Sequence, residues 1–169
     1  MELFEAIRRR RSVRQYKPER VPREVLAKIV AAGVEAPSGC NEQLRQYIIV
    51  DDPAVLDGMR AVSKALTGAP AAIVVLIEPK QTPYGPFHTQ DASAAIENML
   101  LAAVGLGYGS CWVEGQVRSH EDELRKLLAV QEPLRVWAIL PVGKPAEQPE
   151  RPEKPDPADI TYYNRFGQT

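Results

Sequence analysis

The seven residues from Ala71 to Ile77, Ala-Ala-Ile-Val-Val-Leu-Ile, carry no polar side chain. A short, largely β-branched run of this kind reads as a strand, and one apolar at every successive position must be covered on both faces. A second segment, Asp91 to Leu106, is apolar almost all the way round a helical wheel and rich in alanine. Such a helix belongs in the core, where small side chains let its neighbours come close. A strand and a helix that both demand burial force a layered chain, with helices flanking a central sheet.

The remaining segments supply the layers. Leu3, Phe4 and Ile7 at helical spacing give a short first helix, and Val25, Leu26, Ile29 and Val30 give a second behind Pro22, which suits a first helical position. That second helix should fail between Gly33 and Pro37, because the residue before a proline leaves the α region. Tyr47 to Val50, Ser110 to Val113 and Leu134 to Val142 read as further strands. Asp52-Pro53 caps a helix carrying Leu56, Met59, Val62 and Leu66, and Ser119-x-x-Asp122 resembles a capping box ahead of Leu124. Gly105 and Gly107 close the long helix. The expectation is an α+β chain, with a central mixed or antiparallel sheet and helices around it. Its 169 residues suit a single domain, one able to bury roughly 70% of the surface exposed when unfolded.

The tail differs in kind. Between Pro145 and Pro157 five prolines alternate with charged residues, and then Ile160, Tyr162, Tyr163 and Phe166 return. A polar, proline-rich segment ending in aromatics has little reason to order on its own chain. The organisation expected is a folded unit over 1–144 and an extended arm over 145–169, and about 25 extended residues reach ~80 Å, enough to cross a second subunit.

Composition excludes several classes. A net charge of −1 gives no global attraction to nucleic acid or an anionic membrane. The longest apolar stretches fall well short of the ~20 residues that span a bilayer. The N-terminus turns arginine-rich by Arg8 without an apolar core, so no secretory signal is expected and a cytoplasmic setting follows. Cys40 and Cys111 lie far apart with no C-x-x-C, and each reads as a small buried apolar residue in a reducing compartment. His88 and His120 have no metal-ligand spacing, and neither a nucleophile elbow nor a Walker loop occurs.

Three constellations are left. Arg10-Arg11-Ser12-Val13-Arg14 places guanidinium forks and a hydroxyl within five residues, a good receptor for a terminal phosphate. The same run also reads as a solvated basic face. Ala36-Pro37-Ser38-Gly39-Cys40-Asn41-Glu42-Gln43 is either a plain polar turn or a loop offering amide and hydroxyl groups to the edge of a heterocycle. Trp112-Val113-Glu114-Gly115 lies at the C-terminal end of a strand, where a backbone N–H beside glycine is able to approach a flat ligand, although Trp112 alone reads as core. The glycines at 105, 107 and 109 precede a strand rather than a helix, so they make no dinucleotide fingerprint.

Taken in order, these segments resemble the nitroreductase family of FMN enzymes. The matching pieces are Arg10-Arg11-Ser12-x-Arg14-x-Tyr16, Ala36-Pro37-Ser38-Gly39-x-Asn41-x-Gln43, Ala69-Pro70 before the apolar strand, Asp91-Ala-x-x-Ala-x-x-Asn98, Gly105-Leu106-Gly107 leading to Trp112 and Gly115, and the closing Tyr163-Asn164-Arg165-Phe166. The resemblance implies an interlocked homodimer with FMN sites built between two subunits. It implies that Arg10, Arg11, Ser12 and Arg14, helped by Arg151 or Lys154 of the tail, hold the FMN phosphate. It implies that Pro37, Ser38, Gly39 and Asn41 reach the flavin of the other subunit. Lys64 would lie near N1 and O2 of the ring, where a cation stabilises the charge gained on reduction, and Val113, Glu114 and Gly115 would lie by N5.

The activity implied is ping-pong transfer of hydride from NAD(P)H to a small acceptor such as a nitroaromatic or quinone, with no catalytic side chain required. Other roles on the same fold are reductive dehalogenation, oxidative fragmentation of reduced flavin, and FMN binding without catalysis. At one place this chain departs from the pattern: after Gln43 the family usually has Pro-Trp, and here Leu44-Arg45 follow.

Overall fold

The computed structural model describes residues 1–168, so Thr169, the last residue of the expected arm, lies outside the described residues. Four strands, β1 (Arg45–Val50), β2 (Ala71–Ile77), β3 (Gly109–Ser110) and β4 (Arg135–Gly143), form one antiparallel sheet in the order β1-β2-β4-β3. β2 lies between β1 and β4 and is buried at every position. Its alternating side chains divide between two cores, as a period of two requires. Ala71, Ile73 and Val75 meet helices α2 (Arg23–Val34) and α4 (His88–Gly105); Ala72, Val74 and Leu76 meet α3 (Pro53–Arg60), α5 (Gly115–Ser119) and α6 (Glu121–Leu127). α1 (Leu3–Arg9) packs on α4, and a four-residue α7 (Pro157–Ile160) interrupts the tail.

The α2–α4 contact is close because Gly33 has no side chain: a Cβ there would lie 2.9 Å from Met99 Cγ. Asn98 of α4 adds a hydrogen bond to the Ala32 carbonyl at 3.1 Å. The register of β2 against β4 shifts between Val75 and Leu76, so that β4 carries one extra residue. Such a bulge sends two consecutive side chains to one face, and Trp137 and Ala138 both meet the α2–α4 core.

Four local expectations need correction. The helix begun at Pro53 ends at Arg60, and Val62 and Leu66 are carried instead by a turn and a 3-10 segment, Lys64–Leu66, whose Ser63 hydroxyl accepts from the Ala65 N–H at 3.2 Å. Pro22 precedes α2 as its N-cap, one place before the first helical residue. Ser119 does not cap α6; its hydroxyl donates to the Gln116 carbonyl at 3.0 Å, and His120 stands at the cap. The strand expected from Ser110 to Val113 pairs only over Gly109–Ser110, with Val113 meeting Ile139 in a separate bridge. Among the described residues no helix is long and apolar enough to cross a membrane.

Candidate functional site

The arginine-rich segment is fixed by the sheet edge. Past α1 the chain runs beside β3, where Ser12 and Ser110 form a parallel bridge and the Val13 N–H donates to the Ser110 carbonyl at 2.9 Å. Glycine permits this approach, since a Cβ on Gly109 would lie 2.7 Å from Val13 Cγ2. The phenol of Tyr16 donates to the Val13 carbonyl at 2.5 Å, and burial pushes its pKa well above the usual value. With Val13 buried beneath, Ser12 stays half-exposed and Arg14 exposed at the surface.

That surface opens on a cleft of about 680 Å³ between the end of α1 and the tail. Six cationic side chains line it, Arg8, Arg10, Arg11 and Arg14 from one segment and Arg151 and Lys154 from the tail, against two carboxylates, Glu97 and Glu150. The cations do not have the same freedom. Arg11 donates from Nη1 to the carbonyls of Arg8 and Arg10, at 2.8 and 2.6 Å, and so caps the C-terminal end of α1. Arg10 faces Glu97 at 3.4 Å, with side-chain exposures of 31% and 48%. An ion pair this open is worth at most about 1 kcal/mol, less than the roughly 1.5–3 kcal/mol of one charge-assisted hydrogen bond, so an incoming anion competes successfully for Arg10. Among the described residues Arg14 holds only the Ser12 carbonyl, at 3.4 Å.

Arg14 also lines a second cleft, of about 420 Å³, together with Lys64, Cys111, Trp112, Val113, Glu114 and Gly115. Val113 gives its backbone to the bridge with Ile139, at 3.0 and 2.9 Å, and its side chain packs into the core beneath α3, α5 and α6. Glu114 is ion-paired to Arg118 one turn along. Gly115 begins α5, so its N–H has no partner within the helix, and a Cβ added there would meet nothing within 4 Å. Lys64 is exposed at the rim. Cys111 is buried, and burial pushes its thiol pKa up. Thiolate is the reactive form, so in a Cys40→Ala protein the remaining thiol should resist an aromatic disulfide reagent at pH 8 until the chain is unfolded. Rapid reaction in the folded state would contradict this. Cys40 itself is exposed, contrary to the buried role expected for it.

Pro37, Ser38, Gly39 and Asn41 line neither cleft. They form a loop at the N-terminal end of α4, where the Gly39 N–H donates to Asp91 Oδ1 at 2.8 Å. Asp91 and Glu97 are six residues apart on α4, about 9 Å along its axis and roughly 120° round it. One chain therefore presents the loop and the basic cleft on different faces. The loop is strained: Cys40, Asn41 and Gln43 have φ of 53°, 55° and 52°. Asn tolerates this region, but Cys40 and Gln43 pay of order 1–3 kcal/mol each.

Arg8, Glu97 and Glu150 of the basic cleft were not identified from sequence, and neither was Arg45. Glu97 lies 87 positions beyond Arg10, and nothing local points to the pair. Arg45 was visible only as a departure from the family pattern; its guanidinium reaches three backbone carbonyls across the loop and α4. Among the described residues no group of three or more metal-ligating side chains comes together.

Comparison with known proteins gives this architecture a context. The sequence profile of the nitroreductase family matches residues 7–67 and 59–144. A protein of Archaeoglobus fulgidus, provisionally named NADH dehydrogenase/NAD(P)H nitroreductase, is 38% identical over 153 residues, covering 87% of this chain and 87% of that protein. The iodotyrosine deiodinase of Thermotoga neapolitana is 28% identical over 193 residues, covering 97% of this chain and 98% of its own. Among solved structures, a provisionally assigned nitroreductase in complex with FMN from Desulfovibrio desulfuricans superposes with a TM-score of 0.83 at 30% identity, over 98% of both chains.

Proposed function

The chain belongs to the nitroreductase family, and from that premise we propose that it is an FMN-dependent oxidoreductase, working as a homodimer in the cytoplasm on small acceptors. The observation that carries the reading is the pair of clefts joined at Arg14. The first is lined by donors fit for a phosphate dianion, drawn from segments far apart in sequence. The second has an open face at Gly115, where a flat ring would meet backbone rather than a side chain. The donor set suits FMN: guanidinium forks and an ammonium for the phosphate, a hydroxyl, and a lysine at the rim. The FMN-bound relative supports the same assignment.

Bound FMN would supply the redox chemistry, accepting hydride from NAD(P)H and passing electrons to a nitroaromatic or quinone in ping-pong order. The chain's own residues bind and orient. Arg10, Ser12 and Arg14 would hold the phosphate, with Arg151 and Lys154 closing over it from the tail, while Arg11 steadies the end of α1 from which they project. Lys64 would offset negative charge gained on reduction. Glu114, fixed by Arg118, and Val113 would border the ring beside Gly115. Pro37, Ser38, Gly39 and Asn41 would complete the site of a second copy. Residues 1–144 would then be the cofactor-binding unit and 145–169 an arm lying on the partner.

The purified protein should turn yellow with FMN, lose that colour anaerobically with NADH or NADPH, and recover it when menadione or nitrofurazone is added. Protein that stays colourless with excess FMN ends the reading.

The deiodinase relative favours a second activity, reductive dehalogenation of a halogenated phenol. The connection between β2 and α4 weighs against it. It is short, and it folds on itself through the Thr82–Gly85 pair at 3.0 and 3.3 Å, leaving little chain to enclose a substrate. Iodide release from iodotyrosine with a reductant would favour the second activity; its absence alongside quinone turnover would favour the first.

A further inference from the structure

The loop at 37–43 presents a physical puzzle. It is exposed at Pro37, Cys40, Asn41 and Gln43, buries little apolar surface, and yet holds three non-glycine residues in the left-handed region. Strain of this kind persists only where the surroundings over-determine the backbone, and it collects at sites that must be shaped in advance. The surroundings here are polar and specific. Asp91, itself buried, takes the Gly39 N–H. The Ser38 hydroxyl takes the Gln43 N–H at 3.1 Å, and the Gln43 amide donates to Asn41 Oδ1 at 3.0 Å. Lys80 pairs with Glu42 at 2.6 Å, and Phe87 lies so close over Gly39 that a Cβ there would sit 2.3 Å from its ring.

Arg45 joins both ends of this arrangement. From the start of β1 its Nη2 donates to the Ala36 carbonyl at 2.7 Å, and its Nη1 to the carbonyls of Pro37 and Asp91, each at 3.1 Å. Every one of these acceptors is a backbone carbonyl. The rigid fork therefore ties the entry of the loop to the first turns of α4, a task for which an ammonium group has the wrong geometry. Ala36 to Gly39 are thus held twice, by Arg45 through carbonyls and by Asp91 through an N–H.

We propose that Arg45 is a positioning residue for the cofactor site of a second copy of this chain: it holds the Pro37–Asn41 loop in its strained, binding-ready form, and so sets FMN affinity from across the dimer without touching FMN. This rests on the reading that FMN binds in the Arg14 cleft and that the loop completes the site of the other copy. The loop's contribution to affinity scales with the fraction of molecules in which it is correctly shaped.

The test uses the full-length homodimer and FMN itself. Arg45→Ala should raise the FMN dissociation constant about ten-fold, as expected if the shaped loop falls to roughly a tenth of the population, with the sedimenting mass unchanged. Arg45→Lys, which keeps the charge and the alkyl stem, should fold where alanine does not and lie between the two, about three-fold weaker than wild type by the same population argument. Wild-type affinity in both variants, or in the lysine variant if only that one folds, would overturn the proposal.

Subunit mixing separates action across the dimer from a general loss of structure. Arg45→Ala chains have an intact cleft and a loosened loop; Arg14→Ala chains have a damaged cleft and an intact loop. A mixed dimer then contains one site built wholly from undamaged parts, and wild-type affinity should return at half of its sites. No recovery in verified mixed dimers would mean that Arg45 acts within its own chain, and the proposal would fail. Wild-type protein that does not bind FMN at all would instead remove the functional reading beneath it.

Discussion

Arg14→Ala is expected to weaken FMN binding roughly a hundred-fold, a loss of about 3 kcal/mol. Arg14 is the side chain shared by the two clefts, so it would meet the cofactor where its phosphate arm joins its ring system. Its guanidinium is almost unspent, with one long hydrogen bond to the Ser12 carbonyl. Arg11 is committed to the end of α1 and Arg10 is shared with Glu97, so truncating either should cost less. Arg14→Lys keeps a point charge without the fork and should fall between, about ten-fold weaker. Lys17→Ala serves as control, since Lys17 lines neither of the two clefts. FMN titration followed by flavin fluorescence reads all three variants. An Arg14→Ala protein that binds FMN as the wild type does would put the phosphate elsewhere.

Part of this architecture was legible because it is local. The run at Ala71–Ile77 names a doubly covered strand without help, since no other element is apolar at every position in so short a span. Asp52-Pro53 likewise signals a helix start, and the Asp52 carboxylate does accept the Ala54 N–H at 2.8 Å. Where that helix ends was not legible. Val62 and Leu66 keep the apolar spacing of a helix, and both are buried, but a turn and a 3-10 segment bury them as well as a continuing helix would. The Ser119 hydroxyl donates to the Gln116 carbonyl in the turn before it instead of accepting an N–H at the start of α6, the usual local alternative for such residues.

The candidate site divides in the same way. Arg10 to Arg14 are contiguous, so the sequence presents their charge as a cluster. Glu97, which moderates that charge, becomes visible only when α1 is laid on α4. Arg45 finds one of its three carbonyls 46 positions away in the chain. No periodicity encodes such a contact, because carbonyl acceptors carry no residue identity. The positive φ values at Cys40 and Gln43 were hidden for a related reason: neither residue type advertises the left-handed region as glycine or asparagine does.

Removing residues 149–169 should leave a folded core that neither dimerises nor retains FMN. The deletion begins beyond the last firm attachment of the tail, the Ala146 N–H to the Gln15 carbonyl at 3.0 Å, and the Tyr16–Pro145 bridge just before it. Beyond that point nearly every described residue is exposed, including Ile160, Tyr163 at 68% and Phe166 at 90%. α1 shows a matching excess, with Leu3, Phe4 and Ile7 all exposed. Each large apolar side chain gains roughly 1.5–3 kcal/mol when buried, and in the proposed dimer a second copy of the chain would bury them. The deletion also takes Arg151 and Lys154 from the basic cleft, so FMN affinity should fall at least a hundred-fold, by the loss of two charged partners at roughly 1.5–3 kcal/mol each. Two smaller changes separate the effects. Tyr163→Ser with Phe166→Ser should shift sedimentation towards a single chain while leaving the cations in place. Arg151→Ala with Lys154→Ala should keep the dimer and weaken FMN. A truncated chain that still sediments as a dimer and still binds FMN would show that the tail is an ornament of the fold rather than its link to a partner.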